Sequence, residues 1–341
     1  MATQDGIALE SLRAATRAAL REAIGPAHEV VLLDLPTHMN VGDTMILRGE
    51  LEHLRRLGIR PSYLADRWRY RPEDMRALAR DAPILLHGGG NFGDVWPEFQ
   101  AFREEIVDRH QSTRIIQLSQ SVYFSSASAA QRADRILGSH PNFLLMVRDW
   151  DSFERAKRLL PSVRAQFVPD MAFGLQLEVT GPDRNGPITL LAREDHESTG
   201  SLKKAALEAL PEQPRTIDWG LNGVPRLEWS LRKIPAAVSK RVASARGRQL
   251  MYPIVASQYA SMFDLNMKSG VDIVRSARLL LTDRLHAHVL ACLLGVPHIV
   301  TDNSNGKVGA IYRAYTSEFT SATFAKDVDD LGIAIQKALR D

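Results

Sequence analysis

Sulfur chemistry is almost missing from this chain, which holds one cysteine, Cys292. A single thiol closes no internal disulfide, so the fold must rest on core packing, and nothing marks an oxidising compartment. Cys292 lies in an apolar helical stretch and reads as core. HExxH, cysteine-cluster and EF-hand spacings are all missing, so no catalytic metal is expected. No apolar run approaches the roughly 20 residues of a spanning helix. The opening stretch, MATQDGIALESLRAATRAAL, lacks a basic segment followed by an apolar one, so no secretory leader is expected. One-sided charge is missing too: 43 Lys and Arg stand against 40 Asp and Glu. That balance permits anionic ligands without implying nucleic acid, and neither helix-turn-helix nor zinc-finger spacing occurs. These absences leave a cytoplasmic enzyme as the expectation.

What is present is a regular alternation of apolar strands and amphipathic helices. Residues 8–24 read as a helix and Val30 to Leu35 as a buried strand. Asp43 to Leu57 follows as a helix, and 59–65 as a strand. Pro83 to Leu86 is a strand feeding a glycine loop at 88–90. Strands at 114–118, 143–147 and 166–168 alternate with helices at 96–109, 127–137 and 151–160. This alternation predicts a doubly wound parallel α/β sheet. Gly181 to Pro187 gathers Gly, Pro and Asn between apolar segments, as a linker does. The expected division is therefore an N-terminal domain over 1–182 and a C-terminal domain over 187–341. In the second half strands are expected at 188–191, 215–218, 250–255, 271–274, 279–281 and 298–300.

The most informative stretch is Leu279 to Val300, LLLTDRLHAHVLACLLGVPHIV. An apolar strand ends in polar residues, an apolar helix follows, Gly295 and Pro297 stop it, and a second strand begins. Polar groups at a strand's carboxyl end sit where open α/β sheets bind ligands. Arg284, Leu285 and His286 fall at a helix start, whose free N–H groups and dipole favour an anion. The plainer reading makes Thr282 or Asp283 a helix cap and gives Arg284 a surface acid as partner. His288 stands two residues from His286, so the two face different ways on a helix.

Other candidates lie at similar junctions. Asn40, Gly42 and Asp43 follow the first strand; Asn40 and Asp43 can bond sugar hydroxyls, and Asp43 can serve as a base or simply cap its helix. In His87-Gly88-Gly89-Gly90-Asn91, Gly89 and Gly90 leave no side chain to block a ligand, and the stretch is neither a dinucleotide fingerprint nor a Walker loop. Asn91, Asp94 and Trp96 add hydrogen bonding and a stacking face suited to a sugar. Arg148 and Arg193 each end a strand and can hold a carboxylate or phosphate, or else pair with Asp149 and Glu197. Lys307 lies in a polar loop after the last strand.

Four of these blocks resemble the polysaccharide pyruvyl transferase family. They are Asn40-Val41-Gly42-Asp43, His87 to Asp94, Leu190 to Glu197 and Arg284-Leu285-His286, in the family's order. The resemblance implies two Rossmann-like domains facing a cleft, similar to the GT-B glycosyltransferase architecture. It implies transfer of pyruvate from phosphoenolpyruvate to a sugar of a surface glycan precursor, closing a pyruvate ketal and releasing phosphate. Phosphoenolpyruvate is then a donor substrate and no cofactor is needed. On this reading Arg193, Arg284, Leu285, His286, Arg148 and Lys307 bind the donor. Asn40, Gly42, Asp43, Gly89, Gly90, Asn91, Asp94 and Trp96 face the acceptor. His286 is the acid, with Arg284, Asp43 and Asp94 completing the catalytic set. A nucleotide-sugar glycosyltransferase of the same architecture is the alternative, and a saccharide-binding protein without turnover a third.

Arg226 to Arg248, RLEWSLRKIPAAVSKRVASARGR, holds seven basic residues against one acid. It reads either as a basic amphipathic face that meets anionic lipid, suited to a lipid-diphosphate-linked acceptor at the membrane, or as a solvated insertion.

Overall fold

The apolar runs assemble into two parallel sheets. The computed structural model describes residues 3–178, 181–193 and 201–340. The first half runs α1 (Gln4–Ile24), β1 (Glu29–Leu33), α2 (Val41–Arg56), β2 (Arg60–Ala65), α3 (Pro72–Leu78), β3 (Ile84–Leu86), β4 (Gly89–Gly93), α4 (Pro97–Arg109), β5 (Ile115–Tyr123), α5 (Ala127–Gly138), β6 (Phe143–Val147), α6 (Trp150–Leu159) and β7 (Ala165–Phe167). The second half runs β8 (Ile188–Leu191), α7 (Ser201–Ala209), β9 (Arg215–Thr216), α8 (Gly223–Leu231), α9 (Ile234–Arg241), α10 (Ala245–Arg275), β10 (Leu279–Thr282), α11 (Leu285–Leu294), β11 (His298–Thr301), α12 (Lys307–Ala314), β12 (Ala322–Ala325) and α13 (Val328–Ala338).

The first sheet has the order β2-β1-β3-β5-β6-β7, with β4 also paired to β5; the second has β12-β11-β10-β8-β9. Every pairing is parallel. Helices cover both faces, so β1 is apolar after Glu29: Val30 and Leu32 enter one core, Val31 and Leu33 the other. In each sheet the order reverses once. β2 and β3 flank β1, and β9 and β10 flank β8, so connections leave these strands in opposite directions and open a crevice at their carboxyl ends. The first crevice carries Asp34 and His87; the second carries Arg193 and Asp283. The expected parallel α/β class is what the chain adopts, once on each side of residues 181–187.

Helix α10 ties the halves together. An added Cβ at Gly270 would lie 2.4 Å from Val41 Cγ1, so backbone meets α2 closely. Asn266 Nδ2 donates to Thr44 Oγ1 at 3.0 Å and to His38 O at 3.3 Å.

Two expectations need correction and a third is refined. The strands expected at 250–255 and 271–274 both lie inside α10. Their apolar runs look extended, but Val255, Tyr259, Met262, Phe263, Met267 and Gly270 are buried at helical spacing, and exposed Pro253 sits on the solvent side. The loop expected at 88–90 is mostly strand, since Gly89 and Gly93 pair with Gln120 and Tyr123 of β5. Arg226–Arg248 is largely exposed, as a solvated insertion is, but it is folded and packed. It forms α8, α9 and the start of α10, buries Trp229 and Ala236, and ties Arg248 to Asp74 at 2.7 Å. Pro235 opens α9, where its missing N–H costs nothing.

Candidate active site

Two helices from opposite halves begin against each other. Gly42 stands in the first turn of α2 and His286 in the first turn of α11. A Cβ at position 42 would lie 2.6 Å from His286 Nδ1, so only glycine lets the imidazole sit there. The other ring nitrogen, Nε2, is 3.5 Å from Asp170 Oδ2. Asp170 follows β7 and is buried; its Oδ1 accepts from Ala172 N at 2.9 Å. Its Oδ2 also accepts from Arg148 Nη1 at 2.7 Å. Burial opposes the charge on Asp170, but Arg148 first and His286 second outweigh it and hold the carboxyl well below the usual carboxylate range.

Arg148 ends β6 and is fully buried. Its Nε donates to Ser121 Oγ at 2.9 Å, and Ser121 Oγ donates to Asp149 Oδ2 at 2.9 Å. Its Nη2 lies 3.0 Å from where a Cβ on Gly90 would stand, and Lys307 Nζ 3.6 Å from the same point. Lys307 Nζ also donates to Gly90 O at 3.4 Å. Two cations, one from each half, therefore meet over a glycine without a side chain. The turn into β4 is pinned from beneath: His87 Nδ1 lies 2.9 Å from Glu50 Oε2, and Gly88 N donates to Glu50 Oε1 at 2.8 Å. Burial opposes protonation of His87, but Glu50's charge outweighs it and raises the pKa.

Beside Gly42, Asp43 Oδ2 lies 2.7 Å from His38 Nε2. Desolvation works against both charges, yet their mutual hydrogen bond prevails, lowering Asp43 and raising His38. Asp43 is not the cap of α2. Asn40 is, its Oδ1 accepting from Gly42 N at 2.8 Å, which leaves Asp43 pointing out of the first turn.

Other expected residues stand elsewhere. Arg284 is itself the residue before α11, in place of Thr282 or Asp283; Thr282 Oγ1 accepts from Arg284 N at 3.0 Å. The Arg284 guanidinium reaches Asp218 at 2.5 Å, as the plainer reading of that residue expected. Leu285 buries its side chain in the core, so only its backbone is available at the helix start. Half-buried Arg193 donates its backbone N–H to Asp283 Oδ1 at 2.8 Å; Glu197 lies outside the described residues. Arg148 pairs with Asp170 in place of Asp149, which caps α6 through Ser152 N. Asn91 is engaged by Arg103, and Asp94 by the Ser125 and Ser126 N–H groups at 2.8 and 2.7 Å. Trp96 is exposed at the start of α4. His288 faces away from His286, as expected, and turns into the core. There it forms a group with His298 and Cys292, with His288 Nδ1 2.7 Å from His298 Nε2 and His288 Nε2 2.7 Å from Thr316 Oγ1. That is the spacing of a hydrogen-bonded chain, closer than the roughly 3.3 Å between two nitrogens on one tetrahedral ion.

Sequence reasoning missed Asp170, His38 and Asp34. Each is a polar residue just beyond a strand, in Val168-Pro169-Asp170 and Asp34-Leu35-Pro36-Thr37-His38, and that position was the available signal.

A family model described as polysaccharide pyruvyl transferase matches residues 40–305. The chain is 29% identical over 291 residues to the Bacillus subtilis protein named "Putative pyruvyl transferase EpsO", covering 84% of this chain and 85% of that one. It is 28% identical over 327 residues to pyruvyl transferase 1 of Schizosaccharomyces pombe, covering 91% and 75%. Among solved structures, an uncharacterised protein of Klebsiella pneumoniae shares the fold at a TM-score of 0.55 and 15% identity, over 92% of this chain and 98% of that one.

Proposed function

The chain belongs to the polysaccharide pyruvyl transferase family, and we propose that it moves the pyruvyl carbons of phosphoenolpyruvate onto a sugar of a surface glycan precursor, forming a cyclic ketal and releasing phosphate. The observation that carries this reading is the meeting of Arg148, Lys307 and His286 with Asp170 and Asp43 across the two halves. Phosphoenolpyruvate offers a carboxylate and a phosphate. Arg148 Nη2 and Lys307 Nζ over Gly90 supply two cationic grips, and the start of α11 adds backbone donors. Arg284 and Arg193, at the reversal point of the second sheet, extend the donor site in this reading.

The reaction then runs through His286. Asp170 Oδ2 stands 3.5 Å from Nε2 and favours the charged ring, and Nδ1, the nitrogen facing Gly42, delivers its proton to the methylene carbon of the donor. The double bond's electron pair forms the new C–H bond, and positive charge develops at the phosphate-bearing carbon. A sugar hydroxyl attacks there. Asp43 Oδ2 is committed to His38, which leaves Oδ1 to accept the hydroxyl hydrogen. Asp43, held low against its burial by the bond to His38, orients that hydroxyl without keeping the proton, which goes back to His286 after its proton has passed to the donor. A second hydroxyl then attacks the same carbon, the carbon–oxygen bond to phosphate breaks, and the hydroxyl's proton leaves with the phosphate as the ring closes.

The acceptor is read as lipid-linked, presented at a membrane surface. No helix among the described residues is long and apolar enough to cross a bilayer. On α8 and α9, however, Val224, Leu227, Leu231, Ile234 and Val238 are 48–68% exposed among Arg226, Lys240 and Arg241. Apolar tips within a basic field suit an anionic lipid surface. Leu227→Ser with Val238→Ser should lower co-sedimentation with anionic vesicles and leave the melting temperature nearly unchanged; undiminished vesicle binding removes this part of the reading.

Thermal shift tests the donor. Phosphoenolpyruvate should stabilise the protein without added divalent metal, whereas stabilisation by UDP-sugars alone would favour the glycosyltransferase alternative.

A further inference from the structure

A cavity of about 360 Å³ lies at the carboxyl ends of β1 and β2, outside the donor site just described. Its size falls within the ~300–1,000 Å³ typical of small-ligand pockets. His38 is in its wall, and His38 hydrogen-bonds Asp43, so the cavity adjoins the reacting groups. None of the other lining residues figures among the family motifs or in the chemistry above.

The lining is costly to keep without a ligand. Asp34 follows β1 with φ +68°, a left-handed backbone uncommon outside glycine though aspartate tolerates it better than most, and it is 3% exposed. Its Oδ2 accepts no hydrogen bond among the described residues; Arg103 Nη2 stands 3.6 Å away. A buried carboxylate oxygen without a donor is an unmet acceptor for a hydroxyl. Arg67 packs its guanidinium on two rings, its Cζ 4.7 Å from the Trp68 centroid and 4.2 Å from that of Phe99. Its Nη1 is buried without a hydrogen bond, and the Glu98 carboxylate is at 3.5 Å. Lys233 joins the same wall, with Nζ 3.6 Å from the Trp229 ring centroid. Asp66, by contrast, is already satisfied by Arg69 and Tyr259 and serves as wall.

We propose that this cavity binds the acceptor as a sugar phosphate. Ring hydroxyls meet Asp34 and His38, and a phosphate on the sugar's reducing end meets Arg67 and Lys233. The proposal rests on the transferase reading above and deepens it by naming the acceptor's class and its seat. The pieces agree on polarity. Hydroxyls are presented to the side where His38 leads to Asp43. Phosphate is presented to Lys233, the residue just before α9, whose Ile234 and Val238 are exposed. A free sugar would bring no anion to Arg67 and Lys233, and inorganic phosphate would bring no ring hydroxyl to the unbonded Oδ2 of Asp34. The acceptor contacts first expected at Asn91 and Asp94 are already occupied by Arg103, Ser125 and Ser126.

Titration calorimetry with glucose, galactose and mannose 1-phosphates, the matching free sugars and inorganic phosphate tests this on the intact chain. At least one sugar 1-phosphate should bind, and more tightly than its free sugar or phosphate. Lys233→Gln should weaken that sugar phosphate roughly tenfold, and Asp34→Asn should weaken sugar and sugar phosphate alike. Both variants should keep the thermal shift given by phosphoenolpyruvate. Asp34 is buried, so its variant bears on the question only if folded; Lys233 and exposed Trp68 lie near the surface, and Trp68→Ala is the second wall variant. Unchanged sugar-phosphate affinity in Lys233→Gln and Trp68→Ala overturns the proposal. So does equal binding of the free sugar. A protein that binds sugar phosphate at this cavity but neither binds phosphoenolpyruvate nor releases phosphate from it would sink the donor reading and leave the cavity assignment standing.

Discussion

Adding one methyl group at Gly42 should stop catalysis and leave the fold standing. The Cβ would lie 2.6, 2.9 and 3.1 Å from Nδ1, Cγ and Cβ of His286, where 3.4 Å is the near edge of ordinary contact. Those atoms belong to the root of the side chain, so the imidazole cannot escape by swinging its tip. The ring must retreat by roughly 1 Å, a displacement that costs on the order of 10²-fold when a reacting group is misplaced. Gly42 lies in a helix with ordinary backbone angles, so alanine brings no backbone strain, and helix propensity favours it by up to about 1 kcal/mol. Overpacking costs about 1–3 kcal/mol. The net is a melting temperature lower by a few degrees. Steady-state phosphate release from phosphoenolpyruvate with an active acceptor gives kcat and KM, and scanning calorimetry gives Tm. Gly42→Ala should lose about 10²-fold in kcat, with a smaller change in donor KM, because Arg148 and Lys307 grip the donor over Gly90. A Gly42→Ala enzyme with undiminished kcat would refute the argument that Nδ1 of His286 works in this gap.

Asp170→Asn removes one partner of a buried ion pair and should cost about 3–5 kcal/mol, roughly ten degrees of Tm, together with most turnover; a stable variant would mean that Arg148 is neutralised elsewhere. Burial raises the Asp34 pKa to about 6, against the opposing pull of Arg103. Between pH 4 and 6 the folded chain then holds a proton that the unfolded chain has released, so this residue's contribution falls as pH rises, by about 3 kcal/mol in all. Asp34→Asn should flatten that slope in urea titrations across the same window, and an unchanged slope assigns it to other groups. Arg284→Lys should weaken phosphoenolpyruvate at least tenfold if the guanidinium leaves Asp218 for the donor, since an ammonium cannot form a planar fork. Affinity close to that of the intact protein makes the Asp218 pair its whole role.

The parallel sheets were legible because strands buried on both faces, such as Val30–Leu33 and Leu279–Leu281, read as unbroken apolar runs. The α11 junction was legible for a second reason: Gly295 and Pro297 mark its helix end, and polar residues mark its strand end. Long α10 was not. Its apolar residues include β-branched pairs and a proline, and only tertiary burial at helical spacing tells it from two strands. At the site, Gly42, Asp43, Arg148, His286 and Lys307 were nominated from strand and helix ends, and the fold brings them together. What no local pattern shows is partner choice. Asp170 is some 20 residues from Arg148 and more than 100 from His286, yet it bonds the first and stands within ion-pair distance of the second. Asn91 and Asp94 looked like free sugar contacts because Arg103 and Ser125 come to them only through the sheet.

The central claim is that His286 protonates the methylene carbon of phosphoenolpyruvate while a sugar hydroxyl attacks its neighbour. The direct measurement is turnover of phosphoenolpyruvate in D₂O with a panel of lipid-linked or synthetic galactosides, glucosides and mannosides. Phosphate is followed by colour, and the product methyl group by NMR and mass. The account predicts equal amounts of phosphate and ketal and one deuterium in each new methyl group. It also predicts a loss of about 10²–10⁴-fold in rate for His286→Gln at nearly unchanged donor affinity. Phosphate release in which His286→Gln turns over as fast as its donor affinity allows would contradict it, as would transfer that leaves the donor's methylene hydrogens without an added deuterium.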